Sequence, residues 1–285
     1  MIAISPGNVT TAALANRPGW QALLSRPSPA VMGVLNVTPD SFSDGGQFMA
    51  RDRALAQARR MIAEGADMID IGAESTRPYG SEPVSADEEQ KRLQPILADI
   101  VSLGVPVSID SMKSAVVAWA LDAGAKIAND VWGLQRDPDM AGLLAARGCP
   151  LVIMHNRDRA EAGIDIIRDI SEFFARSLEI AAKAGIAREN IVLDPGIGFG
   201  KTPEQSMMAI ARLDRFGTFG LPLLVGASRK RFISSVSPSE PHQRLGGSIA
   251  AHLIATKGGA RVIRTHDVYE TVQALRVAEA IWEGA

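Results

Sequence analysis

The sequence predicts an α/β fold, a single (β/α)8 TIM barrel preceded by a short N-terminal lead-in. The chain has 285 residues, which suits either one barrel of this kind or two modest domains. From residue 30 onward, eight short apolar runs alternate with longer amphipathic segments, and eight such repeats are typical of a barrel. Because sequence does not show whether the sheet closes, an open doubly wound sheet is the alternative.

Residues 1–29 are predicted to form the lead-in and residues 30–285 the barrel, because no linker divides the second range. Residues 13–15 superficially resemble a signal-peptidase site. A secretory signal also needs a cationic start and an unbroken apolar run; the start is missing and residues 5–8 interrupt the run, so export is disfavoured. We expect one end of the fold to be covered by Trp20, Leu23 and Leu24.

The eight predicted strands are short runs rich in Val, Ile and Leu, and most are bounded by Gly or Pro. Continuous apolar runs are typical of parallel strands that are buried on both faces. The strands are predicted at residues 31–35, 68–71, 105–109, 126–128, 151–154, 191–193, 223–225 and 261–263.

The segments between the strands carry signals that start and end helices. Ser85, followed three residues later by Glu88, has the spacing of a capping box. Thr202 offers an N-cap directly before Pro203. Glycine commonly ends a helix, and we expect that role for Gly65, Gly124 and Gly185. The buried face of the last helix is predicted from an apolar stripe: Val268, Val272, Leu275, Ala278, Ile281 and Trp282.

Composition excludes several functional classes. The 30 Lys and Arg residues against 32 Asp and Glu residues give a net charge of −2, which argues against a broad surface for nucleic acid or anionic membrane. The single cysteine, Cys149, excludes an internal disulfide framework and a cysteine-based zinc site. No run approaches the roughly 18 apolar residues of a membrane span. We expect a cytoplasmic enzyme or small-molecule binder.

A polar or charged residue stands at the carboxyl end of almost every predicted strand. In a parallel barrel these ends meet at one rim, where the active sites of this fold are built. Loops are polar in any case, but a polar residue directly after an apolar strand is costly to desolvate without a partner or ligand. From first strand to last, the rim residues are Asn36, Asp70 with Glu74, Asp110, Asn129 with Asp130, His155, Asp194, Ser228 with Lys230, and Arg264 with His266.

The residue types at this rim indicate two kinds of ligand group. Hydrogen-bond donors for an oxygen-rich anion are available from Arg77, Lys230, Arg264 and His266, and the eighth strand is a frequent phosphate site. A planar heterocycle with N–H groups along its edge is suited by the acceptors Asp110, Asn129 and Asp194. Asn36, beside such a phosphate, could supply an oxygen to Mg²⁺, which needs few protein ligands when phosphates supply others.

Residues 196–202 superficially resemble a phosphate-binding Walker A loop. That motif needs glycine six residues before its lysine, Lys201, and the position holds Pro195, so a nucleoside triphosphatase is disfavoured. Cys149 precedes the fifth strand and is expected at the end opposite the rim, in a structural role. His155 ends that strand, and both a structural role and a place in the site stay open.

Five segments in order resemble the signatures of bacterial dihydropteroate synthases, a family of pterin-binding enzymes. Residues 32–46 resemble the first signature, which is long and highly specific. Residues 74–78, Glu-Ser-Thr-Arg-Pro, are similar to the second, and residues 194–201, 228–230 and 264–267 follow. The resemblance covers residues 30–283. It implies a TIM-barrel transferase of folate biosynthesis that joins p-aminobenzoate to 6-hydroxymethyl-7,8-dihydropterin diphosphate and releases pyrophosphate.

The resemblance also implies roles for single residues. The pterin diphosphate would be bound by Asn36, Thr76, Asp110, Asn129, Asp194, Lys230, Arg264, Thr265 and His266. The p-aminobenzoate would be bound by Phe42, Thr76, Arg77, Pro78, Phe199 and Ser228, beneath a loop containing Phe42 and Asp44. Catalysis would rest on Asp110, Asp194, Lys230, Arg264 and His266, with Mg²⁺ on Asn36. Implied as well are a homodimer, sulfonamide sensitivity of the family, and no nucleic-acid or membrane partner.

Two departures and two alternatives accompany the resemblance. Ala73 replaces a common glycine, and Tyr79 is an extra residue between Pro78 and Gly80, where it could alter affinity for p-aminobenzoate and sulfonamides. The alternatives are a pterin-binding barrel of the methyltransferase type and a pterin-binding protein without turnover. Neither needs the diphosphate donors of the seventh and eighth strands, and their presence favours the synthase.

Overall fold

The computed structural model describes residues 19–37, 47–74 and 84–284, without the side chains of 47–50, and contains a closed barrel of eight parallel strands in chain order. Its strands are β1 (Ala30–Asn36), β2 (Met68–Gly72), β3 (Val107–Asp110), β4 (Ile127–Asp130), β5 (Leu151–Met154), β6 (Ile191–Asp194), β7 (Leu223–Val225) and β8 (Ala260–Thr265). β1 pairs with β2 on one side and β8 on the other: Met32 lies opposite Met68 and Arg264. The predicted barrel is confirmed, and the open sheet is wrong.

Helices cover the outside of the strands. They are α1 (Trp20–Leu24), α2 (Gln47–Ala63), α3 (Ala86–Leu93), α4 (Leu97–Val101), α5 (Ser114–Asp122), α6 (Met140–Arg147), α7 (Ile166–Ala184), α8 (Pro203–Ala211), α9 (Arg231–Val236), α10 (Leu245–Lys257) and α11 (Val268–Glu283). Short 3₁₀ turns lie at Arg188–Asn190, Leu213–Phe219 and Pro241–Gln243. Within the described ranges, no helix has both the length and the apolar content needed to cross a membrane.

The predicted helix signals are confirmed. Ser85 caps α3 by accepting a hydrogen bond from the Glu88 amide. Thr202 caps α8 by accepting from the Gln205 amide, and the Gln205 side chain accepts from the Thr202 amide in return. The three predicted helix-ending glycines, at 65, 124 and 185, have φ angles of 105°, 107° and 85°.

The predicted face of α11 is wrong at its last turn. Val268, Leu275 and Ala278 are buried, whereas the exposed fractions of Ile281 and Trp282 are 63% and 43%. Helical periodicity identifies which face is apolar, but not how far along that face the barrel wall extends.

An apolar layer fills the interior of the barrel at the amino-terminal ends of the strands. Alternate residues of the strands point inward, and this layer contains Met32, Met68, Ile127, Val152, Val192, Leu224 and Val262. Leu23 and Leu24 of α1 close the layer from below, with Trp20 packed beside them, as predicted. The division of the chain at residue 29 stays a prediction.

Candidate active site

The candidate site lies directly above this apolar layer, which we call the apolar plug, on the side of the carboxyl ends of the strands. Side chains alternate along a strand, so the residue two positions after an inward residue also points inward. On β2, β4, β6 and β8, the residues two positions after the plug residues are Asp70, Asn129, Asp194 and Arg264. Most of the rim residues that were predicted to follow a strand belong to the end of that strand instead. Asp110, for example, pairs with Asn129 in the β3–β4 ladder. Polar side chains therefore project from the rigid sheet.

A small cavity opens at this level. It brings together six of the residues predicted for the site: Asp110, Asn129, Asp194, Phe199, Lys230 and Arg264. Its apolar wall contains Val131, Met154 and Ile197, and Val131 and Met154 pack with Phe199 in one cluster. An apolar wall with polar atoms along one edge fits a flat ring with hydrogen-bonding groups on its rim.

Buried acceptor atoms line that edge. Among the described residues, Oδ1 of Asp110 and Oδ1 of Asn129 have no hydrogen-bond partner. The Asn129 amide is oriented by its Nδ2, which donates to Oδ2 of Asp70 at 3.1 Å and leaves the oxygen as the available end. A buried acceptor without a partner is costly, and a ligand N–H would remove that cost.

Burial also tunes the two carboxyl groups of the cavity. Burial raises the pKa of Asp110 to about 7, although the guanidinium of Arg264 opposes the shift. It raises the pKa of Asp194 to about 6, against the hydrogen bond that Asp194 accepts from the Gly196 amide at 2.7 Å. Both groups therefore titrate near neutral pH, where a ligand that donates to them favours the ionised form.

Arg264 and Lys230 are cations that line the cavity, and Arg264 pairs with two carboxylates. The Nε of Arg264 donates to Oδ2 of Asp70 at 2.6 Å and its Nη2 to Oδ2 of Asp110 at 2.8 Å. A guanidinium has five N–H donors, so these two bonds leave others for a ligand. Asp70 is fully buried and holds both Arg264 and Asn129. Sequence reasoning placed Asp70 at a strand end but left it out of the site, although a carboxylate within an apolar run was the available signal.

A second polar group lies at the mouth of the barrel. His266, after β8, lies between Ser228, whose Oγ is 3.0 Å from Nδ1, and Asn36, whose Nδ2 is 3.5 Å from Nε2. Burial lowers the pKa of His266 to about 3, helped by the positive charges of Arg264, Arg229 and Lys230. Without a ligand, His266 is thus a neutral ring, which still has one N–H group that can donate to an anion.

The loop between β7 and α9 is held from outside the cavity. Arg229 has a φ of 57°, in the left-handed region. A residue with a large side chain stays in this region only when the surrounding structure holds its backbone there. The amide of Arg229 donates to Oγ of Ser248 at 2.9 Å, its carbonyl accepts from Arg244, and its guanidinium pairs with Asp267. Sequence reasoning did not identify Arg244 and Ser248, which help to fix the backbone that carries Ser228 and Lys230.

Thr265 is a correction. Its side chain is fully buried, and its Oγ1 lies 3.1 Å from Oγ1 of Thr271 and accepts from the Asp267 amide. Because Arg264 points into the barrel, its neighbour Thr265 points outward to α11. The Thr265 side chain therefore does not face the predicted diphosphate.

Lys201 and His155 lie beside the cavity and contact each other, whereas Cys149 lies far from it. Lys201, the lysine of the Walker-like stretch, is buried, and its Nζ lies 2.6 Å from Nδ1 of His155. The remaining ring nitrogen of His155 bonds to Asp169, so this histidine is fully engaged with protein groups. Cys149 is half-buried, packs against the core before β5, and lies at the opposite end from the rim.

Other predicted residues lie outside the described ranges: Phe42, Asp44, Thr76, Arg77, Pro78 and Tyr79. For a metal, the described residues contain no group of three or more His, Cys, Asp or Glu side chains that could hold an ion. Asn36 is exposed, and with its amide nitrogen toward His266, its oxygen is the end available to a cation. One neutral oxygen fits Mg²⁺ when ligand phosphates supply further oxygens.

Comparison with known proteins gives consistent similarities over most of the chain. A family model described as pterin binding enzyme matches residues 32–266. The dihydropteroate synthase of Bacillus subtilis is 43% identical over 261 residues, 91% of each chain. A solved dihydropteroate synthase of Clostridium difficile, in the presence of pteroic acid, has a TM-score of 0.85 and 43% identity, covering 90% of this chain and 97% of that one. The Xanthomonas albilineans dihydropteroate synthase with 4-aminobenzoic acid has a TM-score of 0.86 and 41% identity, over 91% and 94%.

Proposed function

The chain belongs to the pterin-binding enzyme family, and we propose that within it the protein is a dihydropteroate synthase. It condenses 6-hydroxymethyl-7,8-dihydropterin diphosphate with p-aminobenzoate, giving 7,8-dihydropteroate and pyrophosphate. The observation that carries this function is the two-level site: buried acceptors on one edge of an apolar cavity, and a second polar group at the mouth.

The cavity would hold the pterin ring. The Oδ1 atoms of Asp110 and Asn129 would accept from pterin N–H groups, and Asp194 would accept from a neighbouring edge. The Nζ of Lys230 lies 3.9 Å from the centre of the Phe199 ring. This cation–π contact holds the ammonium group at the cavity wall, where it would donate to the pterin. Met154 and Val131 would pack against the face of the ring.

The mouth would hold the diphosphate. His266, Ser228 and Asn36 converge there, and Arg264 reaches toward it from the cavity. A bound anion opposes the positive charges that lower the pKa of His266 and would favour its protonated form. When Mg²⁺ is bound beside Asn36 and the phosphates, it would neutralise charge on the leaving group.

The reaction we propose is SN1-like. The bond between the pterin methylene carbon and the diphosphate oxygen breaks, and pyrophosphate leaves with the electron pair while Arg264 and His266 stabilise its charge. The resulting pterinylmethyl cation is stabilised through the ring by Asp110 and Asp194. The amine of p-aminobenzoate then attacks the carbon and loses a proton. No protein nucleophile is needed, and trapping a pterin–protein adduct during turnover would contradict this route.

The p-aminobenzoate would bind beside the reacting carbon. Phe199 lines the cavity and Ser228 contacts His266 at the mouth, so the two suit an aromatic ring and a polar group between the levels. Phe42, Thr76, Arg77 and Pro78 are assigned to the same pocket by family resemblance. We propose that sulfonamides compete there with p-aminobenzoate.

Pyrophosphate release tests the function. The chain is incubated with the dihydropterin diphosphate, p-aminobenzoate and Mg²⁺, and release of pyrophosphate is expected together with an equal amount of 7,8-dihydropteroate. Tight pterin binding without release would instead indicate a binding protein, and methyl transfer to a corrinoid would indicate the methyltransferase type. We also propose a homodimer, which light scattering tests, and a cytoplasmic location, where the lone Cys149 would stay reduced.

A further inference from the structure

The loop that carries Phe199 has little conformational preference of its own. Gly196, Gly198 and Gly200 have φ angles of 66°, 80° and 53°, in the region that glycine enters freely. A Cβ at Gly196 would lie 1.9 Å from the carbonyl oxygen of His155, so this backbone packs directly against the segment after β5. Interactions from outside the loop must therefore fix its shape.

Lys201 supplies such an interaction. Its buried Nζ donates to the carbonyl oxygen of Phe199 at 3.1 Å and contacts Nδ1 of His155 at 2.6 Å. Burial lowers the pKa of Lys201 to about 7, and its Nζ donates to the Phe199 carbonyl oxygen with or without the extra proton. With the carboxylate of Asp169 beside Nε2, the proton of the His155 ring is on Nε2 and Nδ1 accepts from Lys201. Burial and the charge of Lys201 lower the pKa of His155 to about 4, which agrees with a neutral ring.

Asp169 completes the chain of hydrogen bonds. Its Oδ2 lies 2.9 Å from Nε2 of His155, and its Oδ1 accepts from Arg157 at 2.6 Å. The hydrogen bond from His155 lowers the pKa of Asp169 to about 2, so the acceptor is a carboxylate. Donors and acceptors then alternate without conflict from the partly exposed Asp169 to the Phe199 carbonyl.

The other end of this chain reaches the cavity. The Phe199 ring lies against Nζ of Lys230, and a Cβ at Gly198 would lie 3.2 Å from Cδ of Lys230. A shift of the loop would therefore move an aromatic wall of the cavity and the lysine that this wall orients. Lys201 itself does not line the cavity.

We propose that Lys201, His155 and Asp169 form a positioning relay that fixes Phe199 against Lys230 and thereby sets affinity for the pterin and p-aminobenzoate portions of the substrates. This inference rests on the proposed function for its ligand class. The three residues touch no substrate, and they act through the Phe199 carbonyl.

A double-mutant cycle tests the relay, with the dissociation constant of pteroic acid measured by calorimetry. Lys201→Met is expected to weaken binding about ten-fold, the scale of one lost charge-assisted hydrogen bond. In a Phe199→Ala background the same change is expected to have an effect within about two-fold, because the ring it positions is gone. A purely structural role would give the same loss in both backgrounds.

The controls are exposed residues outside the relay. Lys183→Met removes an exposed lysine of α7 that pairs with Glu179, and is expected to leave binding unchanged. If Lys201→Met does not fold, as judged by its melting curve, Asp169→Asn keeps the side-chain shape and weakens the relay, with Asp158→Asn as its exposed counterpart.

Four outcomes are decisive. Unchanged binding in both Lys201→Met and Asp169→Asn overturns the relay, as does a loss that multiplies with that of Phe199→Ala. Wild-type protein that binds pteroic acid but releases no pyrophosphate overturns the proposed function while the cycle still measures the relay. Wild-type protein that does not bind pteroic acid overturns both.

Discussion

Arg264 on β8 donates from Nε to Oδ2 of Asp70 on β2, 2.6 Å away, across the intervening strand β1. The same guanidinium reaches Asp110 on β3, so one cation compensates two buried carboxylates. Removing one partner from such a group leaves uncompensated buried charge, which is more damaging than losing an exposed pair.

Arg264→Ala is therefore expected to have two effects. Turnover should fall by about 10²-fold or more, because a donor to the transition-state anion is lost. The free energy of unfolding should fall as well, because Asp70 and Asp110 lose their counterion. Pyrophosphate release and denaturant unfolding measure the two effects. Arg168→Ala, which removes an exposed arginine of α7, is the control; a near-normal rate in Arg264→Ala would refute the assignment of the eighth strand.

Pterin affinity is expected to fall as the solution becomes acidic. The pKa values of Asp110 and Asp194 lie at about 7 and about 6, so each group gains a proton as pH drops through its value. A protonated carboxyl is a weaker acceptor for ligand N–H groups, and each one that must ionise costs roughly ten-fold in affinity per pH unit below its pKa. Calorimetry from pH 5 to 8 measures this slope. Asp110→Asn should make the slope shallower, and a slope unchanged by that substitution would contradict the role of Asp110.

Gly196→Ala tests the packing of the loop against β5. The added Cβ meets the His155 carbonyl oxygen, and the left-handed φ adds strain of about 1–3 kcal/mol. We expect a large loss of stability and of pterin binding. Gly142→Ala is the matched control, since its Cβ meets no atom within 4 Å, and in the helix α6 it should stabilise by up to about 1 kcal/mol. Equal stability of the two variants would refute the close approach.

Thr265→Val tests the outward direction of this side chain. The hydrogen bonds with Thr271 and Asp267 would be lost, lowering the free energy of unfolding by about 1–2 kcal/mol. The kcat and the KM for the dihydropterin diphosphate should stay within about two-fold of wild type. A selective rise in that KM, without loss of stability, would restore Thr265 to the diphosphate site.

Sequence predicted most of the fold because its strongest signals are local. Apolar runs located all eight strands, and Ser85 and Thr202 located helix starts, since a cap depends on residues only three positions away. Ile281 and Trp282 show the limit of such signals: their helical phase is apolar, but exposure depends on how far a neighbouring element extends.

The site was predictable where a strand end alone decides direction, as for Asp110 and Asp194. Asp70 was missed because its role depends on Arg264, 194 residues away along the chain. The bond between Lys201 and His155 was missed for the same reason, because two distant loops meet only in the folded barrel. The direction of the Thr265 side chain was not predictable from the motif, which names neighbouring residues together, whereas a strand sends their side chains to opposite faces.

The pairing of β1 with β8 has a consequence for the order in which the protein becomes functional. Asn36 and His266 stand on either side of that seam, 230 residues apart, and every strand of the barrel must leave the ribosome before they can meet. A nascent chain that has emerged only through β7 has no partner for the free edge of β1 and no complete mouth for an anion. Capture of a diphosphate at this mouth, as proposed, would therefore begin only after β8 has been made, and diphosphate binding would report that the ring of strands has closed.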